Sequence, residues 1–196
     1  MEIQDLGNNG PYLIKPKVFK DERGYFYESF NEQEFKEKIG DVTFVQDNES
    51  CSSYGVVRGM HFQRPPYEQA KLVRVVKGCA LDIAVDIRKG SPFYGDYAME
   101  FLSAENHHQF YIPRGFAHAF LALEDDTIFQ YKCDNFYNEE SEGGIIWNDP
   151  TIDIKWERWI DLKDIKISEK DKKHPLLKDF DSPFDDEWYL KNIKEN

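Results

Sequence analysis

Residues 71–87 have the sequence KLVRVVKGCALDIAVDI, and this stretch indicates the fold class. In residues 71–77 the odd positions share one face of an extended chain and the even positions share the other. The same alternation returns at 81–87, after the pair Lys77-Gly78. A period of two is that of a β-strand, and Lys-Gly between two such runs is typical of a tight turn. The stretch therefore predicts two strands joined by a tight turn.

The same pattern recurs elsewhere in the chain. Residues 97–101 and 128–133 alternate in the same way, and further turn signals stand at 89–92 (KGSP) and at Asn9-Gly10. Short strands spaced by roughly 8–12 residues are typical of β-sandwiches and barrels. The sequence therefore predicts an all-β protein.

Two segments depart from the β pattern. Residues 31–39 predict a short helix, because Asn31 can cap it and a glutamate follows three residues later. From about residue 157 the chain is rich in Asp, Glu and Lys with isolated apolar residues, which predicts short helices and loops packed on the β body. For the last dozen residues a disordered tail is the alternative.

Length and composition limit the classes of protein that fit. The chain has 196 residues, the length of one domain or at most two small ones. Its formal net charge is −12, which argues against broad binding to nucleic acid or to anionic membranes. No apolar stretch approaches the roughly 20 residues that cross a bilayer. A small anionic ligand held by a few local cations remains compatible with this charge.

The cysteines and histidines do not form a recognisable metal or disulfide pattern. Cys51, Cys79 and Cys133 are widely spaced and no CxxC pair exists, so neither a zinc ribbon nor a disulfide scaffold is expected. No His-x-His pair exists, and the adjacent histidines at 107–108 point to opposite faces of a strand, so we expect no metal site. The first ten residues, MEIQDLGNNG, lack a signal-peptide apolar run, so a reducing cytoplasmic location is expected.

Three polar clusters interrupt apolar strands, and each could carry chemistry. His61 lies in VRGMHFQ (57–63), His118 in IPRGFAHAF (112–120), and Tyr131 between Gln and Lys. A lone histidine of this kind is either a core residue with one hydrogen bond or a general base at neutral pH. A tyrosine is either a core residue with its hydroxyl at the edge or a proton donor. Strand parity turns Arg58 away from His61, unless Gly59 forms a bulge or the two serve different surfaces.

Together with other short motifs, these clusters resemble one family, the RmlC-type dTDP-4-dehydrorhamnose 3,5-epimerases of the cupin superfamily. The matching stretches come in the family's order over about residues 3–178. They are ERG (22–24), ESF (28–30), FVQDN (44–48), RGMHFQ (58–63), KLVRVV (71–76), LSAEN (102–106), IPRGFAH (112–118), GIIWNDP (144–150) and SEKD (168–171).

The resemblance implies a fold and an assembly. The expected fold is a cupin-like β jelly-roll with short flanking helices in the N-terminal region and at the C-terminus. One epimerase domain is expected over residues 1–178, with residues 179–196 as a C-terminal extension of unknown role. A homodimer is expected.

The resemblance also implies a reaction. A dTDP-4-dehydro-6-deoxy-D-glucose substrate would be epimerised at C3 and C5 to dTDP-4-dehydro-L-rhamnose, without a metal or other cofactor. His61 matches the family's base, Asp171 the carboxylate that orients it, and Tyr131 the acid. Lys71 matches a cation beside the C4 oxygen, where preorganised charge stabilises an enolate.

Further positions match the family's substrate-binding residues, and other activities stay open. The matching positions are Arg23, Glu28, Gln46, Asn48, Arg58, His118, Glu142 and Lys170. One alternative is a 3-epimerase or 3,4-ketoisomerase acting on another dTDP-4-keto-6-deoxysugar. Another is a sugar-binding cupin without catalysis, and a third is a metal-dependent cupin oxygenase, which the missing His-x-His pair disfavours.

Overall fold

The computed structural model describes residues 1–7 and 10–194, and antiparallel β-strands dominate it. The strands are β1 (Glu2–Asp5), β2 (Tyr12–Lys15), β3 (Phe19–Asp21), β4 (Gly24–Phe26), β5 (Gln46–Ser52), β6 (Val57–Gln63), β7 (Lys71–Lys77), β8 (Cys79–Asp86), β9 (Tyr97–Ser103), β10 (Gln109–Ile112), β11 (Phe116–Ala122), β12 (Thr127–Cys133) and β13 (Glu142–Gly144). The prediction of an all-β protein is confirmed. Asn9, half of one predicted turn, lies outside the described residues.

Two sheets form the body of the protein. One has six strands in the order β1-β2-β10-β7-β12-β5, and the other has five in the order β13-β6-β11-β8-β9. The inward faces of both sheets supply one apolar core, with Val73 and Val75 from β7, Phe129 from β12 and Phe120 from β11. The alternation seen in residues 71–77 therefore separates an inward face from an outward face.

The predicted turn at Lys77-Gly78 carries the chain from one sheet to the other. β7 belongs to the six-stranded sheet and β8 to the five-stranded sheet, so these consecutive strands do not pair. Gly78 has φ +78°, and a Cβ there would lie 2.5 Å from the Thr127 hydroxyl oxygen. Glycine is needed at this position because the turn is left-handed and tightly packed.

Strand β8 is buried on both faces. Leu81, Ile83 and Val85 pack against the C-terminal third of the chain, and the alternate positions turn towards the core between the sheets. The two aspartates of this strand, Asp82 and Asp86, have no exposed surface. A buried carboxylate needs a partner, and these two have His118 and Arg88 respectively.

The predicted N-terminal helix is present as α1 (Glu32–Lys38). The Asn31 side chain accepts a hydrogen bond from the backbone N–H of Glu34 at 3.0 Å, as the capping pattern predicts. The Glu34 carboxylate pairs instead with the N-terminal amine at 2.7 Å and with Lys38 at 2.6 Å. Phe35 is buried beneath the helix against the outer face of the six-stranded sheet.

The region after residue 157 consists of short helices and loops packed on the sheets, as predicted. The 3₁₀ turns from residue 139 onward are Glu139–Ser141, Trp156–Arg158, Leu162–Asp164, Asp171–Lys173 and Leu177–Asp179. They are followed by α2 (Asp186–Tyr189) and a π-helical turn (Leu190–Lys194). Phe180, Phe184 and Tyr189 are buried, so ordered structure replaces the alternative of a disordered tail as far as residue 194. No described helix is long and apolar enough to cross a membrane.

Candidate active site

A cleft of about 510 Å³ lies between the two sheets, and ionisable side chains enter it from both. The five-stranded sheet contributes His61 from β6 and His118 from β11. The six-stranded sheet contributes Lys71 from β7 and Tyr131 from β12. A molecule held between the sheets can therefore meet an imidazole on one side and a phenol on the other.

A β-bulge in β6 brings Arg58 and His61 to the same cleft. His61 pairs with His118, whereas Arg58 pairs with Phe120, so three steps along β6 match two along β11. The extra residue reverses the parity of the strand. Of the two options that the sequence leaves open, the structure has the bulge.

Gly59 makes this bulge possible. Its φ is +128°, and a Cβ added there would lie 2.5 Å from the Cβ of Ala119 on the neighbouring strand. A side chain would therefore meet both backbone strain and a steric clash. The glycine between Arg58 and His61 thus sets the direction in which the imidazole points.

Asp171 lies directly against the His61 ring. Its Oδ1 is 2.7 Å from His61 Nε2, although 110 residues separate them in the chain. The segment before Asp171 runs beside β6, where the Val57 N–H donates to the Lys166 carbonyl at 2.9 Å. Burial raises the pKa of Asp171, but the neighbouring His174 and His61 rings outweigh it and hold the pKa well below its usual value. The carboxylate is therefore ionised and can orient the imidazole.

His118 forms a second buried histidine–carboxylate pair. Its Nε2 lies 3.0 Å from both carboxylate oxygens of Asp82. Burial lowers the pKa of His118, with the Asp82 charge opposing the shift. The neutral ring then donates Nε2–H to Asp82, and this hydrogen bond fixes its orientation.

Lys71 and Tyr131 are neighbours on the opposite wall. Lys71 Nζ lies 5.8 Å from the centroid of the Tyr131 ring. Burial raises the pKa of Tyr131, so its hydroxyl keeps its proton at neutral pH. Burial also lowers the pKa of Lys71, while the charges of Cys133, Asp82 and Glu142 oppose that shift.

An arm of about 280 Å³ continues from the cleft and shares His61, Lys71 and Tyr131 with it. Gln46, Asn48 and Glu142 line this arm. Burial raises the pKa of Glu142, but a hydrogen bond from Lys170 and that residue's charge lower it overall. The arm therefore offers amide side chains and an ion pair beside the ionisable groups of the cleft.

Two predicted binding residues lie away from this cleft. Arg23 lies in the β3–β4 hairpin, lines a separate surface depression there, and pairs with Asp21 at 2.5 Å. Glu28 accepts a hydrogen bond from Asn31 Nδ2 at 3.1 Å near the start of α1. The structure brings together the other predicted residues in the cleft and its arm, but not these two.

Sequence reasoning did not identify Asp82 and His174, which lie beside the predicted residues His118 and Asp171. The sequence could have indicated Asp82, since a carboxylate in an otherwise apolar buried strand needs a partner. No sequence pattern could have indicated His174, because it belongs to the turn after Asp171 and contacts β13 only in the folded protein. The ligand atoms of His61, Asp171 and His174 all lie within 4.8 Å of one another, a grouping that could hold a metal ion.

A further cavity, of about 260 Å³, has a different character. Arg74 and Gln130 line it, joined by a hydrogen bond of 2.9 Å, and Gln130 also donates to Glu49 at 2.6 Å. These side chains satisfy one another, and no histidine lines the cavity. Tyr131 borders this cavity as well, but no imidazole faces the phenol there as His61 does in the cleft between the sheets.

Comparison with known proteins gives a consistent result. The family model described as dTDP-4-dehydrorhamnose 3,5-epimerase matches residues 6–179. The dTDP-4-dehydrorhamnose 3,5-epimerase of Methanothermobacter thermautotrophicus is 50% identical over 171 residues, which cover 87% of this chain and 91% of that protein.

Two solved structures are similar over nearly the whole chain. The dTDP-4-dehydrorhamnose 3,5-epimerase of Elizabethkingia anophelis has a TM-score of 0.87 at 48% identity, covering 93% of this chain and 99% of that one. The dTDP-6-deoxy-D-glucose-3,5-epimerase of Legionella pneumophila, solved with dTDP-4-keto-L-rhamnose, has a TM-score of 0.86 at 42% identity, covering 92% and 94%. These likenesses confirm the expected cupin-like jelly-roll.

Proposed function

This chain belongs to the dTDP-4-dehydrorhamnose 3,5-epimerase family, and we propose that it converts dTDP-4-dehydro-6-deoxy-D-glucose to dTDP-4-dehydro-L-rhamnose by epimerisation at C3 and C5. The observation that carries this proposal is the placement of His61 and Tyr131 on different sheets across one cleft. Epimerisation removes a proton from one face of a carbon and returns one to the other. A base and an acid on opposite walls suit that requirement.

His61 is proposed as the base. The ketone at C4 acidifies the protons on C3 and C5, because the resulting carbanion is an enolate. Asp171 accepts a hydrogen bond from His61 Nε2–H, which leaves the lone pair on Nδ1 to take the proton. The ionised carboxylate also stabilises the imidazolium that forms, as in other base-and-orienter pairs.

Lys71 and Tyr131 complete the proposed reaction. Lys71 would stabilise the enolate oxygen at C4, and Tyr131 would donate its phenolic proton to the opposite face of the carbon. His61 then loses a proton to solvent and Tyr131 regains one, which prepares the site for the second carbon. Each epimerisation exchanges one carbon-bound proton for a solvent-derived one, and only protons move, so no metal or redox cofactor is needed.

The nucleotide is proposed to occupy the cleft and its arm. Arg58 lines the cleft with its guanidinium group held by the Ser52 hydroxyl at 3.1 Å, and such groups bind diphosphate oxygens well. Gln46 and Asn48 offer amides for the edge of the thymine base. Glu142 of the arm and Lys170 of the cleft form an ion pair, and this pair can reorganise around the sugar nucleotide.

We further propose that the protein is a homodimer in which the β3–β4 hairpin meets the partner. Phe19, Tyr25 and Phe26 of this hairpin are 53%, 58% and 71% exposed, an unusual density of aromatic surface for a two-stranded element. Arg23 lies on the same hairpin, away from the cleft of its own chain. A second copy that buries the hairpin would bring Arg23 to the partner's cleft, with Glu28 nearby.

A complementation experiment tests the dimer proposal. Arg23→Ala chains and His61→Ala chains should each have low activity alone. After subunit exchange, a mixed dimer contains one cleft with an intact His61 and an intact Arg23 from its partner, so activity should return. No recovery in mixtures that light scattering shows to be exchanged dimers would contradict the shared site.

The setting of the enzyme is also part of the proposal. We propose a cytoplasmic location, which is supported by three cysteines that form no disulfide bond. We also propose that residues 1–178 carry the epimerase site, since the cleft residues all precede residue 172.

Isotope exchange tests the reaction itself. Incubation with dTDP-4-dehydro-6-deoxy-D-glucose in D2O should introduce deuterium at C3 and C5, which proton NMR of the sugar measures. Exchange at C3 alone would identify a narrower 3-epimerase. Binding without exchange at either carbon would overturn the proposal in favour of a sugar-binding cupin.

A further inference from the structure

The proposed reaction uses His61 and Asp171, but a third potential ligand, His174, lies beside them without a role. His174 Nε2 is 3.7 Å from Asp171 Oδ1, the oxygen that contacts His61 Nε2 at 2.7 Å. Among the residues that the structure describes, these three form the group of metal-ligating side chains whose ligand atoms lie within 4.8 Å of one another. The group combines two imidazole nitrogens with one carboxylate oxygen.

His174 is held in this position by the fold. It follows the 3₁₀ turn Asp171–Lys173, and the next residue, Pro175, accepts a backbone hydrogen bond from Ile146 at 3.0 Å. A Cβ at Gly144 would lie 2.5 Å from His174 Nε2, so the glycine leaves room for the ring. The ring is therefore packed between β13 and the turn that carries Asp171.

The Nε2 atom of His174 is buried and has no hydrogen-bond partner. A buried imidazole nitrogen without a partner is costly unless something else satisfies it. Asp171 Oδ1 lies 3.7 Å from this nitrogen, which is too long for a good hydrogen bond. A cation placed between these atoms would satisfy the nitrogen and the carboxylate together.

The distances suit a small divalent transition-metal ion. Zinc binds histidine nitrogen and carboxylate oxygen at about 2.0–2.2 Å, so two ligands of a tetrahedral ion are separated by about 3.4 Å. The observed separations of 2.7 Å and 3.7 Å lie on either side of that value. His61 lines the cleft, so the fourth coordination position would face the space that the substrate occupies.

We propose that His61, Asp171 and His174 form an inhibitory site for a divalent transition-metal ion of the zinc class. Inhibition follows from the tautomer, and this part of the proposal rests on the proposed function. A metal bound to His61 Nε2 takes the lone pair of that atom, so the ring proton moves from Nε2 to Nδ1. The ring then has no lone pair with which to take a proton from the sugar.

Direct binding tests the site without using activity. Metal-stripped protein titrated with Co2+ should develop the visible absorption of a four-coordinate ion at one equivalent per chain, and Zn2+ should abolish it. His174→Phe keeps a ring of similar size against Gly144 but removes the ligand, so Co2+ affinity should fall at least about tenfold. The matched control His108→Phe removes a histidine that lies outside the group and should leave the titration unchanged.

Inhibition provides the second measurement. Zn2+ should suppress C–H exchange in the wild-type protein, a chelator should restore it, and His174→Phe should require at least about tenfold more Zn2+ for half-inhibition relative to its own metal-free rate. If that variant fails to fold by circular dichroism, His174→Gln replaces it. Equal Co2+ spectra and equal Zn2+ sensitivity in the wild-type and His174 variants would overturn the proposal. A protein without epimerase activity would still report the site through Co2+, so the two failures are distinguishable.

Discussion

At the scale of single residues, substitutions of His61 and Tyr131 are expected to affect different steps of the reaction. His61→Ala should lower both C–H exchange and product formation by about 10²–10⁴-fold, because no base remains to remove the proton. Tyr131→Phe keeps the base, so it should lower completed epimerisation more than exchange of the substrate proton with D2O. NMR measures both quantities in one sample. Equal loss of exchange and epimerisation in Tyr131→Phe would contradict its role as the acid.

Asp171 links the site to the pH dependence of stability. Its pKa lies below the value of about 3.9 expected in the unfolded chain, so its ionised form stabilises the fold above that pH. This contribution is lost as the pH falls through the folded-state pKa. At pH 7, Asp171→Asn should lower the free energy of unfolding by about 1.5–3 kcal/mol, the usual contribution of a hydrogen bond to a charged group.

Urea titrations at several pH values measure this difference. The difference in the free energy of unfolding between the wild-type protein and Asp171→Asn should shrink as the pH falls below about 4, because the wild-type carboxylate also becomes neutral. Asp161→Asn is the control, since Asp161 also has a lowered pKa, next to Lys163, but is fully exposed. A difference in the free energy of unfolding that stays constant from pH 7 to pH 3 would refute an ionised, stabilising Asp171.

At the scale of the element, the bulge in β6 depends on Gly59. Gly59→Ala should lower the free energy of unfolding by about 1–3 kcal/mol, because the new Cβ would lie 2.5 Å from Ala119 Cβ. It should also lower kcat by turning His61 out of the cleft. Gly40→Ala is a matched control, with φ +155° but no atom within 4 Å of the added Cβ. Urea unfolding and steady-state kinetics measure both effects, and equal behaviour of the two variants would show that the close contact with β11 is unimportant.

The elements also show which parts of the structure the sequence can predict. Alternation is a local pattern, so residues 71–77 and helix α1 were predictable from their own side chains. Strand pairing is not local, and nothing in Lys77-Gly78 distinguishes a hairpin from a change of sheet. The position of Asp171 against His61 depends on a segment more than a hundred residues away, so only the family resemblance indicated it.

Some features of the site were beyond both the pattern and the resemblance. Parity left the direction of Arg58 open, because a bulge depends on contacts with the neighbouring strand that the sequence does not reveal. His174 joins the site only because Gly144 leaves space for its ring. Arg23 matches a binding position but lies outside the cleft of its own chain, which the sequence pattern did not indicate.

At the scale of the whole molecule, net charge and local charge act differently. The chain carries a formal net charge of −12, which disfavours the approach of an anionic substrate from a distance. Arg58, Lys71 and Lys170 nevertheless line one cleft and offer cations at short range. Because salt screens the long-range repulsion more than close contacts in the cleft, these local cations decide where a diphosphate binds.

The C-terminal segment joins the core that supports the cleft. The family match ends at residue 179, but Phe180 and Phe184 belong to the same apolar cluster as Met60 and Phe62 of β6. The Tyr189 ring packs over the buried Arg88 guanidinium, whose central carbon lies 5.5 Å from the centroid of that ring. The strand that carries His61 therefore rests partly on residues beyond the matched region.

Substitution of Phe184 tests whether this segment is part of the cooperative unit. Phe184 is 1% exposed and packs edge-on against Phe62 and Trp188, so Phe184→Ala should lower the free energy of unfolding by about 3–5 kcal/mol. Leu190→Ala, at a site 49% exposed, is the control and should change it by less than about 0.5 kcal/mol. Urea unfolding followed by fluorescence should remain a single transition in both variants. A first transition that leaves epimerase activity intact would show instead that the segment unfolds independently of the domain that holds His61.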